Sequence, residues 1–477
     1  RWPPRLSWAS TCPWRRRERG GDVNEAAGGV GAQSVEPAQG GEAGGGRRPA
    51  DFILRHAGEL VTLAPAAVRA AGASVTPDDD GLGVIADGAL AARDGRIVWV
   101  GREPELRGAV APLDGAAELD AAGACVVPGF VDAHTHAVFA GSRADEYAAR
   151  LGGVSYAAIL ASGGGINATV AATRAATLEE LTAITLARFD SFLSGPPATT
   201  RVGVRRGSAP APAQSANSGG GGGGVNPPRR RLTFLGAHFT PTELVGRDDE
   251  FIELVCDEML PSLRGRADFV DVFCDEGAFT VPQARRVLEA GRRLGYGLKI
   301  HADELARSGG GLLAAELGCV SADHLVHATF EEIAALRAAG VVAVVLPGTS
   351  FTLHQAYAPA REMLDGGLEV ALATDFNPGT CYCENMQQMI ALACQEMRLT
   401  PARALRAATL GGAAALGLGD EVGSLEVGKS CDLIVLEAAS RHELPYHFGV
   451  NLAALVVAGG RLAARGGVPC YDGREKS

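Results

Sequence analysis

The sequence predicts an α/β protein: a TIM-like (β/α)8 barrel carrying a small β-sandwich built from both chain ends. Three observations predict it. Between 128 and 420, apolar runs of four to eight residues alternate with helical patterns, and repeated βα units make a parallel sheet. From 51 to 127, and again from 421 to 470, short β-type runs are separated by Gly, Asp and Pro. The 477 residues are 47% hydrophobic, which is enough for a large buried core.

Along the chain, residues 1–50 read as an extension outside the fold, disordered or a mis-predicted start. They carry Arg15-Arg16-Arg17 but no apolar stripe of a transit peptide. Phe52–Leu54, Gly83–Ala86 and Arg96–Gly101 are the first β runs, and Asp432–Leu436 and Leu455–Val457 supply their counterparts at the other end. Seven barrel strands are read at Val126–Val131, Leu232–Leu235, Phe269–Phe273, Leu298–Ile300, Val320–Val326, Val341–Leu346 and Glu369–Ala373. Helices are expected at 250–261, 281–294, 307–318, 329–340 and 384–398. The missing strand falls at 194–231, an irregular insert with repeated Pro and six consecutive Gly. There the second strand and its helix read as replaced by low-complexity sequence, with Thr199–Val204 the one β-like run.

With 44 basic against 55 acidic side chains the net charge is −11, which argues against a nucleic-acid partner. No run approaches the roughly 18 apolar residues of a membrane span. Ten Cys without a CxxC pair fit a reducing, cytoplasmic setting.

The chemistry concentrates at predicted strand ends. His134 and His136 alternate on one strand, so both imidazoles face one space. His301 ends a second strand and Asp375 a third, on the face where barrel active sites are built. Three nitrogens and one carboxylate oxygen suit Zn²⁺ or an iron ion, which would lower the pKa of a water toward neutrality. Taken singly, Asp375 reads equally as a helix cap and His301 as a core histidine. Glu304, one helical turn beyond His301 or on the same loop, is a candidate general base, and His324 on the next strand could orient the water or stabilise an oxyanion. His238 could meet a substrate carbonyl. Arg143 suits a substrate carboxylate, and Gly379-Thr380 offer backbone N–H groups and a hydroxyl. His327 and His354 read as structural.

The strings PGFVDAHTHAVFAGSRADEY, FLGAH, KIHADEL, ADHL and LATDFNPGTCYCENMQQM resemble the amidohydrolase superfamily, and within it the imidazolonepropionases of histidine degradation. The resemblance covers about 85–190 and 232–465. It implies one Zn²⁺ or Fe ion held by His134, His136, His301 and Asp375, with Glu304 and His324 activating water. It also implies substrate contacts at Arg143, His238, Glu304, Asn377, Gly379 and Thr380. The implied reaction is hydrolysis of the ring amide of 4-imidazolone-5-propanoate to N-formimidoyl-L-glutamate, and the family precedent suggests a homodimer. One departure is visible: the family's TTVExKSGYG strand, with its substrate-contacting Tyr, has no counterpart after Thr199-Thr200, as a gene-model error or real divergence would produce. Two alternatives therefore stay open: another cyclic amidohydrolase, or an impaired metal-binding relic.

Overall fold

A computed structural model describes residues 46–64, 81–155, 158–159, 162–194, 200–205 and 229–470. The expectation for 1–50 lies outside the described residues except for its last five. That for the 194–231 insert lies outside them at 195–199 and 206–228.

The first five strands are β1 (Arg48–Val61), β2 (Val84–Arg93), β3 (Arg96–Arg102), β4 (Val110–Asp120) and β5 (Cys125–Pro128). The barrel strands are β6 (Val131–Asp132), β7 (Thr200–Arg205), β8 (Arg229–Ala237), β9 (Phe269–Cys274) and β10 (Gly297–Ala302), then β11 (Ser321–His324), β12 (Val342–Val345) and β13 (Val370–Leu372). After them come β14 (Leu433–Leu436), β15 (Ala453–Ala458), β16 (Arg461–Arg465) and β17 (Val468–Pro469).

Both chain ends share one nine-stranded sheet, in the order β17-β16-β15-β14-β5-β1-β2-β3, with β4 branching from β1. The expected sandwich is thus one continuously bonded sheet closed over Phe52, Leu54, Leu60 and Leu433. Its seam is β5, which pairs in parallel with β1 and antiparallel with β14. The run Val126–Val131, read as one barrel strand, is corrected here. Pro128-Gly129 breaks it, and the part before the break joins the end sheet because β1 and β14 flank it.

Strands β6 to β13 form an eight-stranded sheet in sequence order, every recorded pair parallel. A bridge between Thr135 and Phe376 closes it, with Asp375 N–H donating to the His134 carbonyl at 3.0 Å. The second strand is present, which corrects the expectation that the insert replaces it. Thr200–Arg205 pairs with β6 and, along all six residues, with β8. The expected loss of its helix falls in 206–228, outside the described residues.

Period-two alternation explains the layers. On β10, Leu298, Ile300 and Ala302 face the helices while Lys299 and His301 face the barrel; on β9, Val270, Val272 and Cys274 face out. The helix 281–294 opens with a Thr280/Gln283 capping box and stops at Gly295 in the left-handed region. The helix 330–339 does the same between Thr329/Glu332 and Gly340. Below, Val131, Phe269, Val342, Val344 and Ala371 meet Leu416, Leu418 and Val422, which plug the floor.

Candidate metal centre and catalytic site

The chemistry-bearing residues named from the sequence lie at the C-terminal ends of the barrel strands or just beyond them. A cavity of about 660 Å³ opens there, lined by His136, Arg143, His238, His301, Glu304, His324, Asp375, Asn377, Gly379 and Thr380. His134 lies just behind that lining, 3% exposed.

Four of these side chains converge. His134 Nε2 lies 3.1 Å from His136 Nε2, and Asp375 Oδ1 lies 3.5 and 3.2 Å from the two. The His301 ring centroid is 4.5 Å from that of His134. Two overlapping triads result, His134–His136–Asp375 and His134–His301–His324, each with its donor atoms within 4.8 Å of one another.

The converging atoms are aimed by partners on neighbouring strands. His134 Nδ1 meets Asp323 Oδ2 at 2.6 Å and His301 Nδ1 meets Asp271 Oδ1 at 3.1 Å, so in both rings Nε2 is turned to the centre. Thr349 Oγ1 donates to Asp375 Oδ2. Asp323 also accepts from Ser321 Oγ at 2.6 Å, and Ser321 accepts from the buried Lys299 Nζ at 2.8 Å. Asp303, His324 and Asp375 hold positive φ of 52°, 78° and 50°, a conformation non-glycine residues keep only where surrounding structure enforces it.

Burial pushes the His136 imidazole down to about 4, which Asp375 only partly offsets. Burial also disfavours charge on His301, but Asp271, Asp323 and Asp375 outweigh it and lift that ring to about 9. Burial, then the nearby Asp375 charge, raises Glu304 to about 8. The donor set fits a borderline cation: His301 Nε2 and Asp375 Oδ1 are buried with no hydrogen-bond partner. The 3.1–3.5 Å spacings among His134, His136 and Asp375 also suit three ligands of one ion, about 3.3 Å apart where each sits about 2 Å from it.

Around this centre, Glu304 approaches His324 Nε2 at 3.5 Å. Glu146 fixes Arg143, accepting from its Nε at 2.7 Å and from the Gly165 N–H at 2.9 Å. The Arg143 guanidinium lies against Gly379, where a Cβ would stand 2.2 Å from Nη1, so a side chain at 379 would push the guanidinium from its place. Asn377 Oδ1 accepts the N–H groups of Gly379 and Thr380, both at 2.8 Å, and folds that loop. The His238 ring lies among Phe239, Phe273 and His136.

Sequence reasoning does not single out Asp271 or Asp323, whose partners are set by strand register, or Thr349, which reaches Asp375 from the helix Pro347–Leu353. His354, read as structural, lines the cavity, as does Gln355. His354 caps the helix Pro347–Leu353 at φ 55°.

A model of the amidohydrolase family matches residues 264–462. The imidazolonepropionase of Symbiobacterium thermophilum is 47% identical over 423 residues, covering 87% of this chain and 97% of that protein. The imidazolonepropionase of Parabacteroides distasonis is 42% identical over 416 residues, 86% and 98% of the two chains. An adenosine deaminase from Xanthomonas campestris, solved with bound zinc, matches with a TM-score of 0.65 at 21% identity. It covers 89% of this chain and 95% of its own, and the likeness is one of fold.

Proposed function

This chain belongs to the imidazolonepropionase family of the amidohydrolases, and we propose that it hydrolyses the ring amide of 4-imidazolone-5-propanoate to N-formimidoyl-L-glutamate in histidine degradation. The observation that carries the reading is the convergence of His134, His136, His301 and Asp375, three of them aimed by a bond through their other polar atom. These four would hold one ion, zinc or iron, since both accept imidazole nitrogen beside carboxylate oxygen. Such an ion supplies Lewis acidity to the substrate carbonyl and acidity to a water.

The remaining work falls to this chain's own groups. Glu304, buried beside His324, takes a proton from the attacking water at its carboxylate and returns it to the leaving ring nitrogen. His324 donates from its ring N–H to the oxygen that gains charge as the carbonyl is attacked. Arg143, held in direction by Glu146, pairs with the propionate tail. Asn377 holds the turn that presents Gly379 and Thr380 to the substrate, and His238 contacts the imidazolone ring. The thiols of Cys125, Cys256, Cys274, Cys319, Cys381, Cys383, Cys394 and Cys431 stand free, which favours a reducing cytoplasmic setting. Among the described residues no helix is long and apolar enough to cross a membrane.

The test is turnover of 4-imidazolone-5-propanoate by protein stripped with a chelator and reloaded with zinc or iron. We expect activity that disappears on stripping and returns on reloading. Folded, metal-loaded protein without turnover would overturn the reading and favour a relic that binds metal.

A further inference from the structure

We propose that Asp275 is a positioning residue of this reaction: it sets where Glu304 stands by gathering the backbone N–H groups of the loop that carries it. The inference rests on the reading of Glu304 as the proton-carrying group.

Asp275 is the first residue beyond β9 and is 5% exposed. Its Oδ2 accepts the peptide N–H of Glu304 at 2.6 Å and of Leu305 at 3.0 Å. Its Oδ1 accepts those of Ala306 at 3.1 Å and Glu276 at 2.7 Å. Four donors therefore meet one carboxylate, and three of them come from the stretch that begins with Glu304. No regular helix or strand holds that stretch, since β10 has ended at Ala302 and the next helix starts at Gly310.

The far end of the same loop has a separate anchor. Asp303 accepts from the N–H groups of Ser308 at 2.7 Å, Gly309 at 3.0 Å and Gly311 at 2.9 Å. Asp303 thus ties the loop to the helix that follows, whereas Asp275 ties it to the neighbouring strand at Glu304 itself. Only a group that accepts at both oxygens and donates nothing satisfies four N–H donors. An amide in its place turns two N–H groups onto donors and pushes part of the loop away. The displaced atom is then the Glu304 Cα, while the converging histidines and Asp375, on other bonds, keep their places.

The test is Asp275→Asn in the metal-loaded protein, with kcat, KM, bound metal and Tm measured together. We expect kcat to fall by ~10²-fold, the scale of an ångström of misplacement, with KM and metal content unchanged. In a Glu304→Gln background the same substitution is expected to have no further effect on residual turnover. A purely structural defect would instead lower metal content, raise KM or add to the loss in that background, and any of these overturns the proposal. If D275N does not fold, an ester replacing the Leu305 peptide N–H removes one bond and no side chain. It should lower kcat by roughly 2–10-fold, and an unchanged kcat there overturns the proposal. Wild-type turnover by E304Q removes the underlying reading, whereas inactive E304Q beside fully active D275N removes this proposal alone.

Discussion

Where the end sheet closes on Phe52, Leu54, Leu60 and Leu433, the barrel closes on Lys299, Asp271, Asp323, His134, His301 and Asp375, all at most 3% exposed. Both interiors are equally dry, so the difference lies in what the burial is for. Apolar burial stabilises by roughly 1.5–3 kcal/mol per large side chain. Buried ionic groups often contribute nothing net, because desolvation offsets their attraction. The barrel's polar interior is better understood as an aiming device, with its stability coming from the outer shell of strands against helices. Asp323 illustrates this: burial opposes its charge, yet Lys299, His134 and His301 hold it ionised.

That contrast can be broken from either side. Asp375→Ala should abolish metal-dependent turnover, a loss beyond the ~10²-fold that losing an aiming partner costs, while Tm changes little. Unchanged activity would remove Asp375 from the ligand set. Leu60→Ala in the end sheet should cost ~2–5 kcal/mol of stability in denaturant titrations. Its metal affinity and kcat should match wild type, and a loss of metal would show that the two interiors are coupled. Asp271→Asn and Asp323→Asn should each weaken metal binding ~10–100-fold by competition with a chelator. The smallest effect is expected from Arg143→Ala, which should raise KM by about 10-fold with kcat held, as loss of one charged hydrogen-bonded contact predicts. An unchanged KM would end the carboxylate role of Arg143.

The strand ends were legible because alternation is local. His134 with His136, and Lys299 with His301, show their shared face in three residues of sequence. Asp271 and Asp323 were not, because nothing near them says which ring they will meet. His301 lies opposite Asp323 on one side and Phe273 on the other, and only that register brings Asp271 and Asp323 to the two rings. The run Val126–Val131 fails for a related reason. Val126, Val127, Phe130 and Val131 look alike whichever sheet claims them, and the first two are claimed by β1 and by β14, three hundred residues away. Thr200–Arg205 is weak as a sequence signal and gains its strand from its two neighbours.

The seam at β5 has a consequence for how the molecule is made. Its partner β14 begins at Leu433 and β5 ends at Pro128, so 305 residues must be synthesised before that edge can be covered. At ~5–20 residues per second this leaves a bare, apolar strand edge for roughly 15–60 s. The nascent chain therefore passes through a stage with its barrel half built and its first sheet open, when a chaperone or a second nascent chain can reach Cys125–Pro128. A premature stop between Leu372 and Leu433 would leave that edge permanently bare, and such a product should be found in aggregates even though every strand of its barrel is present.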